Sequence, residues 1–461
     1  RGAAMRILIK GGRLATELEK GPIDILIEDG VIVGIGQIST GDQVIEAYGN
    51  ILFPGFIDAH THLDMDTGTA HTSDDFASGT RAALVGGTTT ILDFATQDKG
   101  DTLMNALKMW QQKACGKSYT DYGFHIAITD WNEHISKELL FMKDAGITSF
   151  KVYMAYDALK VTDDALYEIL QSVDRLGGIV GCHCENGDLV KVLSKEQKGL
   201  GHLGPSAHPD SRPDTVESEA IGRFLDIAYL AGATVHVVHL STEKGLEVVK
   251  RTKARGQKVY VETCPQYLTL DESAYTLKNF EGAKYVLSPP LRTKQDQQAL
   301  WQGLQKEWIH TISTDHCAFN FETGKKQGLA DFTAIPNGVP GIEHRAQLIY
   351  TFGVDKERLS LKQMVNLLST HAAKLFGLYP TKGTLQIGSD ADLVIWNPHY
   401  VGTLSKATQL QQVDYTPYEG LLVKGRAEHV LLRGVHVVKE GKVIEQCQGQ
   451  YLFRGPTGNL G

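Results

Sequence analysis

Between residues 51 and 314, eight short apolar runs alternate with segments of helical periodicity, and this alternation limits the fold more than any other feature. The runs cover residues 51–58, 88–93, 122–128, 147–153, 179–183, 234–240, 258–263 and 309–314. Between two of them, Leu166, Ile169, Leu170 and Val173 fall at i, i+3, i+4 and i+7, after Thr162-Asp163 and before Gly177. Ile221, Phe224, Leu225 and Ala228 repeat that spacing, and Gly232 ends it. Such stripes mark helices that lay one apolar face on a sheet. Strands separated by helices imply parallel pairing, and eight such units predict an α/β chain closed as a (β/α)8 TIM barrel. An open doubly wound sheet is the alternative, but no GxGxxG follows an early strand to support it.

The flanks read differently. Residues 6–9, 23–27 and 31–35 are short strand-like runs, with Glu28-Asp29-Gly30 as a hairpin turn. Residues 392–396, 430–433 and 435–438 repeat the pattern, with Glu440-Gly441 as a turn. The two ends are expected to combine into one small β-sandwich domain, because chain termini often lie close together. The expected division is 5–53 with 380–445 as the sandwich, 54–379 as the barrel, and 446–461 as a tail. Tyr451-Leu452-Phe453 make that tail apolar enough to contact a neighbouring subunit. A chain of 461 residues has room for a large barrel plus such a satellite.

Composition excludes several partners. A net charge of −8 without a basic block argues against nucleic acid. No apolar run approaches the roughly 20 residues of a membrane span. Arg1-Gly2-Ala3-Ala4 ahead of Met5 reads as a cloning remnant, and no secretion signal is seen. The six cysteines form no CxxC pair, which fits free thiols in a reducing cytoplasm. Cys182 and Cys184 flank His183 and would point away from it on a strand.

The chemistry concentrates at the ends of the barrel runs. The first leads through Phe53-Pro54-Gly55-Phe56-Ile57-Asp58-Ala59 into His60-Thr61-His62. Alternate strand residues face the same side, so these two imidazoles converge as two ligands of one metal must. Lys151 lies near the end of the fourth run, His183 ends the fifth, His239 the sixth, and Asp315 follows the eighth. In a barrel these positions share one face, where βα-loops gather. A lysine among them is unusual, since an ammonium has only donors. Burial beside divalent cations would push its pKa down. The neutral amine can then take up CO2 as a carbamate whose two oxygens bridge two metals. A hydroxide shared by both ions exists at neutral pH. Imidazole and oxygen ligands suit zinc, with manganese or cobalt as alternatives. Asp315 would serve as ligand and as proton shuttle to a leaving nitrogen.

Gly55-Phe56-Ile57-Asp58-Ala59-His60-Thr61-His62, the Lys151 segment, His183-Cys184-Glu185-Asn186, His239-Leu240-Ser241 and Thr314-Asp315-His316 together resemble the amidohydrolase superfamily. The resemblance is closest to its cyclic-imide branch, the D-hydantoinases and dihydropyrimidinases. It extends through Glu262-Thr263-Cys264-Pro265, Ser288-Pro289-Pro290-Leu291-Arg292, Ile335-Pro336-Asn337-Gly338 and Gly388-Ser389-Asp390-Ala391-Asp392, and so covers essentially the whole chain. It implies that His60, His62 and Asp315 bind one metal, that His183 and His239 bind the other, and that carboxylated Lys151 bridges them. Tyr156 matches the tyrosine that stabilises the oxyanion, and Ser288 and Asn337 match positions whose backbone holds the cyclic imide. The implied reaction opens 5-substituted hydantoins or dihydropyrimidines to N-carbamoyl amino acids, in a cytoplasmic homotetramer or homodimer.

Within that scaffold, Asp64 stands where dihydroorotases place an arginine, and it would repel a substrate carboxylate. An allantoinase-like hydrolase is the nearer alternative. A non-catalytic scaffold homologue is the remote one, and retention of all six ligands speaks against it. Met65, Phe94, Tyr153 and Phe319 are apolar candidates for wrapping the ring substituent.

Overall fold

The computed structural model describes residues 4–444 and 447–460. Eight parallel strands succeed one another in chain order: β1 (Phe56–Thr61), β2 (Thr88–Thr96), β3 (Asp121–Ala127), β4 (Ser149–Tyr153), β5 (Ile179–His183), β6 (Val235–Val237), β7 (Val259–Thr263) and β8 (Thr311–Ile312). Helices such as Phe76–Val85, Leu103–Ala114, Glu133–Asp144, Asp163–Arg175 and Asp214–Ala231 fill the crossovers. The consecutive order is that of a barrel rather than of a doubly wound sheet. The two helical stripes read from the sequence are buried at every position. Gly232 then ends its helix in the left-handed region at φ 69°, where a side chain is strained.

β1 and β8 close the ring through side chains as much as through backbone. Thr61 bridges His316 in parallel, and the His62 N–H donates to the His316 carbonyl at 2.8 Å. Thr314 Oγ1 donates to Asp58 Oδ2 at 2.6 Å. The buried Arg345 guanidinium donates to the Ile57 carbonyl at 2.7 Å and to the Ile312 carbonyl at 2.8 Å. A two-residue strand cannot close the barrel alone, and these bonds supply the missing ladder.

The run 51–58 is not one strand, contrary to the expectation. Ile51–Pro54 belongs to the second sheet, paired with Leu393–Thr403 and with Arg6–Leu14. β1 starts only at Phe56. The chain crosses between sheets at Gly55, where a Cβ would lie 2.0 Å from Thr89 Oγ1. Only glycine fits there.

The second sheet has nine strands drawn from both chain ends. Arg6–Leu14 belongs to both of its halves: its start pairs with Ile23–Glu28 and Gln43–Glu46, and its end with Ile51–Pro54. A bulge between Ile9 and Gly12 marks where it changes partners. Ile9, Ile25 and Ile27 from one half meet Leu52, Leu393 and Ile395 from the other in one core. The alternate residues Phe53, Val394 and Trp396 face the opposite way and join the barrel core. The period of two therefore packs the sandwich internally and docks it on the barrel with the same strands.

Residues 449–458 run under the start of the barrel strands. Tyr122 N–H donates to the Gln450 carbonyl, Leu452 N–H donates to the Tyr122 carbonyl, and the buried Arg454 reaches the carbonyls of Phe124 and Phe376. Tyr451 and Leu452 pack against their own chain, and Phe453 is left 72% exposed. This end of the barrel is filled, so chemistry is confined to the other. Among the described residues no helix is long and apolar enough to cross a membrane.

Candidate metal centre and active site

All six ligand candidates reach the same end of the barrel interior. His60 Nε2 and His62 Nε2 lie 3.2 Å apart, and Asp315 Oδ1 stands 3.0 Å from the first and 3.1 Å from the second. Lys151 Nζ is 3.5 Å from His60 Nε2. On the far side, His183 Nδ1 and His239 Nε2 are 3.0 Å apart, and the His239 ring centroid is 5.8 Å from that of His60. Two nitrogen pairs thus flank one lysine. His239 and Asp315 hold φ of 37° and 51°, a region rarely used by residues with a Cβ. Strain of this kind concentrates where side chains must be aimed at a function.

Carboxylates fix the imidazoles from behind. His60 Nδ1 meets Glu262 Oε1 at 3.0 Å, which leaves the lone pair on Nε2 facing inward. The same Glu262 oxygen accepts the His239 backbone N–H at 2.9 Å, so one carboxylate registers a histidine of each pair. His183 Nε2 meets Glu185 Oε1 at 2.7 Å, turning Nδ1 toward His239. Burial opposes ionisation of Glu185, but Arg212 and His183 outweigh it and hold the carboxyl at about 2. Neither Glu262, Glu185 nor Arg212 had been assigned a role from the sequence. For Glu262 the available signal was a carboxylate on a barrel strand, which an apolar core does not tolerate unpaired.

This donor set fits divalent cations. Lone pairs of like imidazole nitrogens 3.0–3.2 Å apart repel unless a proton or a metal lies between them. Burial would lower His60, yet Asp315 and Glu262 raise it to about 9, so the site draws additional positive charge. Burial lowers His62 to about 4 and lowers His183 as well, which suits neutral ligands. Burial opposes ionisation of Asp315 too, but His60 and His62 hold it well below the usual carboxylate range. Lys151 is buried as well. Burial alone would push it down, but Tyr153, Asp315 and Glu262 outweigh that and hold it up. Cations bound beside it would push the other way.

Tyr156 takes φ 67° and meets the His183 ring edge-on, with ring centroids 5.5 Å apart. Burial raises its phenol, and the Arg212 guanidinium, 5.2 Å from the ring centroid, partly offsets this. Ser288 lies beside the phenol, in the long loop after β7. Asn337 lies in the loop after β8, and the next residue, Gly338, donates its N–H to the Val286 carbonyl at 3.0 Å. The two loops therefore meet next to Tyr156. Of the four apolar pocket candidates, Phe94 stacks on His62 at 5.0 Å, and Tyr153 stacks on His183 at 5.7 Å. Both face Lys151 Nζ, at 4.4 and 4.6 Å, and so form walls of the metal centre. Phe319 is buried, and Met65 is half-buried in the loop after β1. Asp64, in the same loop, pairs with His71 at 2.8 Å.

Replacing Glu262 by Gln should keep the shape and remove the charge behind His60. Metal affinity is expected to fall roughly 10–100-fold, the usual loss when such an orienting partner is changed. Competition with a chelator measures this, and an unchanged affinity would remove Glu262 from the site.

A closed parallel barrel with nitrogen and oxygen donors converging at its strand ends is the architecture a metal-assisted hydrolase needs. Residues 51–437 match the amidohydrolase family, and the chain belongs to it. It is 45% identical to a D-hydantoinase of Geobacillus stearothermophilus, over 99% of this chain and 98% of that one. It is 42% identical to a D-hydantoinase of Rhizobium radiobacter, over 98% and 99% of the two chains. The crystal structure of dihydropyrimidinase from Brevibacillus agri NCHU1002 superposes with a TM-score of 0.97 at 43% identity, covering 99% of this chain and 100% of the other.

Proposed function

We propose that this protein is a metal-dependent cyclic amidohydrolase that opens 5-substituted hydantoins or dihydropyrimidines to N-carbamoyl amino acids. The observation that carries the reading is the convergence of His60, His62 and Asp315 beside Lys151, with His183 and His239 opposite. The ring class is supported by the similarity to proteins named D-hydantoinase and dihydropyrimidinase. The six residues would hold two divalent cations, zinc for preference and manganese or cobalt as alternatives, with Lys151 carboxylated by CO2. Such cations supply a nucleophile from water at neutral pH by lowering its pKa.

The residues of the chain divide the remaining work. Asp315, kept ionised by its histidines, takes the proton of the attacking water and delivers it to the ring nitrogen as the C–N bond breaks. Tyr156 donates its phenolic hydrogen to the carbonyl oxygen as charge develops there. Backbone groups at Ser288 and Asn337 hold the opposite edge of the imide. One water is added and one C–N bond is lost, with no other reactant. The proposed setting is a cytoplasmic homotetramer or homodimer. Six free thiols support the compartment, and exposed Leu140, Phe141, Leu230 and Phe453 supply apolar surface for subunit contacts.

The test compares dihydrouracil, both enantiomers of an aryl hydantoin, and allantoin, with the protein supplied with zinc and bicarbonate. Preference for dihydrouracil or for one hydantoin enantiomer is expected, and which of them wins tells the two activities apart. Turnover of allantoin alone would replace the reading by an allantoinase.

A further inference from the structure

Lys325 is fully buried, at 0% exposure, in the loop after β8, and the chemistry above makes no use of it. Its Nζ donates to three backbone carbonyls: Val286 at 2.7 Å, Pro336 at 2.6 Å and Gly338 at 2.7 Å. An ammonium has three donors, and all three are matched. Among the described residues no carboxylate pairs with it, although a buried charge without a counter-ion is costly. The positions of the acceptors explain its presence. Val286 lies two residues before Ser288, and Pro336 and Gly338 stand on either side of Asn337.

Other side chains hold one of these loops from its own side. His208 Nε2 meets the Leu287 carbonyl at 2.6 Å, and Tyr267 donates to the Pro289 carbonyl at 2.7 Å. Lys325 instead bonds to both loops, parallel to the backbone link from Gly338 to Val286. Gly338 packs closely on the other side, where a Cβ would sit 2.3 Å from the Cys317 carbonyl. Burial pushes the amine down to about 7, and the three carbonyl dipoles aimed at it favour the charged form in turn.

We propose that Lys325 is a positioning residue that locks the Ser288 and Asn337 loops to each other, and so sets affinity for the cyclic imide without touching it. The claim about affinity rests on the assignment of Ser288 and Asn337 to the ring edge. The claim about the lock does not.

The experiment uses the full-length, metal-loaded protein and Lys325→Met, which keeps the unbranched apolar stem and removes every donor. Amide hydrogen exchange should rise at least about tenfold in the non-proline residues of 286–291 and 337–341 together, the scale of a lost bond to a charged group. Strands β2 to β5 should be unchanged. Metal content should stay at the wild-type value, KM for the ring substrate should rise about tenfold or more, and kcat should change much less. Lys325→Gln keeps two donors and should fall between, which gives a second reading if the methionine variant folds poorly. Faster exchange in only one loop, or in neither, overturns the lock whatever the substrate. Faster exchange in both loops with KM unchanged overturns the positioning role while leaving the hydrolase assignment intact. Failure of the wild-type protein to open any cyclic imide would overturn that assignment and with it the affinity claim, and exchange would still decide the lock.

Discussion

Lys151→Ala should lose metal and activity together, with turnover down by roughly 10⁴-fold or more, because a water without the cations reverts toward its bulk pKa of about 15.7. The lysine is buried between Phe94 and Tyr153, 3.5 Å from His60 Nε2. In the metal-free protein its ammonium is stabilised by Tyr153, Asp315 and Glu262 against the effect of burial. Carboxylation and metal loading should therefore depend on each other. Metal without bicarbonate, or bicarbonate without metal, should restore little. The alanine variant leaves a cavity the size of the missing chain, and a short carboxylate such as propionate is expected to recover part of the metal binding. Metal analysis alongside rate measurement checks all of this, and full activity in Lys151→Ala would remove the bridge from the account.

Tyr156→Phe should lower kcat by about 10²–10³-fold while leaving metal content unchanged, the usual cost of losing one oxyanion donor. The ring itself would stay, since it is held against His183 and Tyr153 by aromatic contacts that need no hydroxyl. Its backbone, at φ 67°, lies in the loop after β4. The effect should therefore fall on turnover and only weakly on KM. A loss under about threefold would mean that Tyr156 packs and does not donate.

The six ligand candidates were legible because two local rules place them. A period of two makes His60 and His62 converge, and the barrel rule gathers Lys151, His183, His239 and Asp315 at one end. What aims them was less legible. Glu262 stands out only as a carboxylate on a barrel strand, Glu185 looks in sequence like any other acidic residue, and Lys325 is one lysine in a polar loop. Their roles come from burial and from partners far along the chain, as with Glu262, 202 positions after His60. Phe94 and Tyr153 were recognisable as apolar residues near the site, but stacking on the histidines makes them its walls. The division of 51–58 between two sheets was hidden by continuous hydrophobicity, and the Pro54-Gly55 pair was its only local mark.

The most direct test of the account titrates the chelator-stripped protein with zinc in the presence of bicarbonate and follows ring opening of dihydrouracil and an aryl hydantoin. The account predicts negligible turnover in the stripped protein, and an N-carbamoyl product whose rate rises until two metals are bound per chain. Turnover that survives complete removal of metal, or no ring opening with both sites filled, would contradict it.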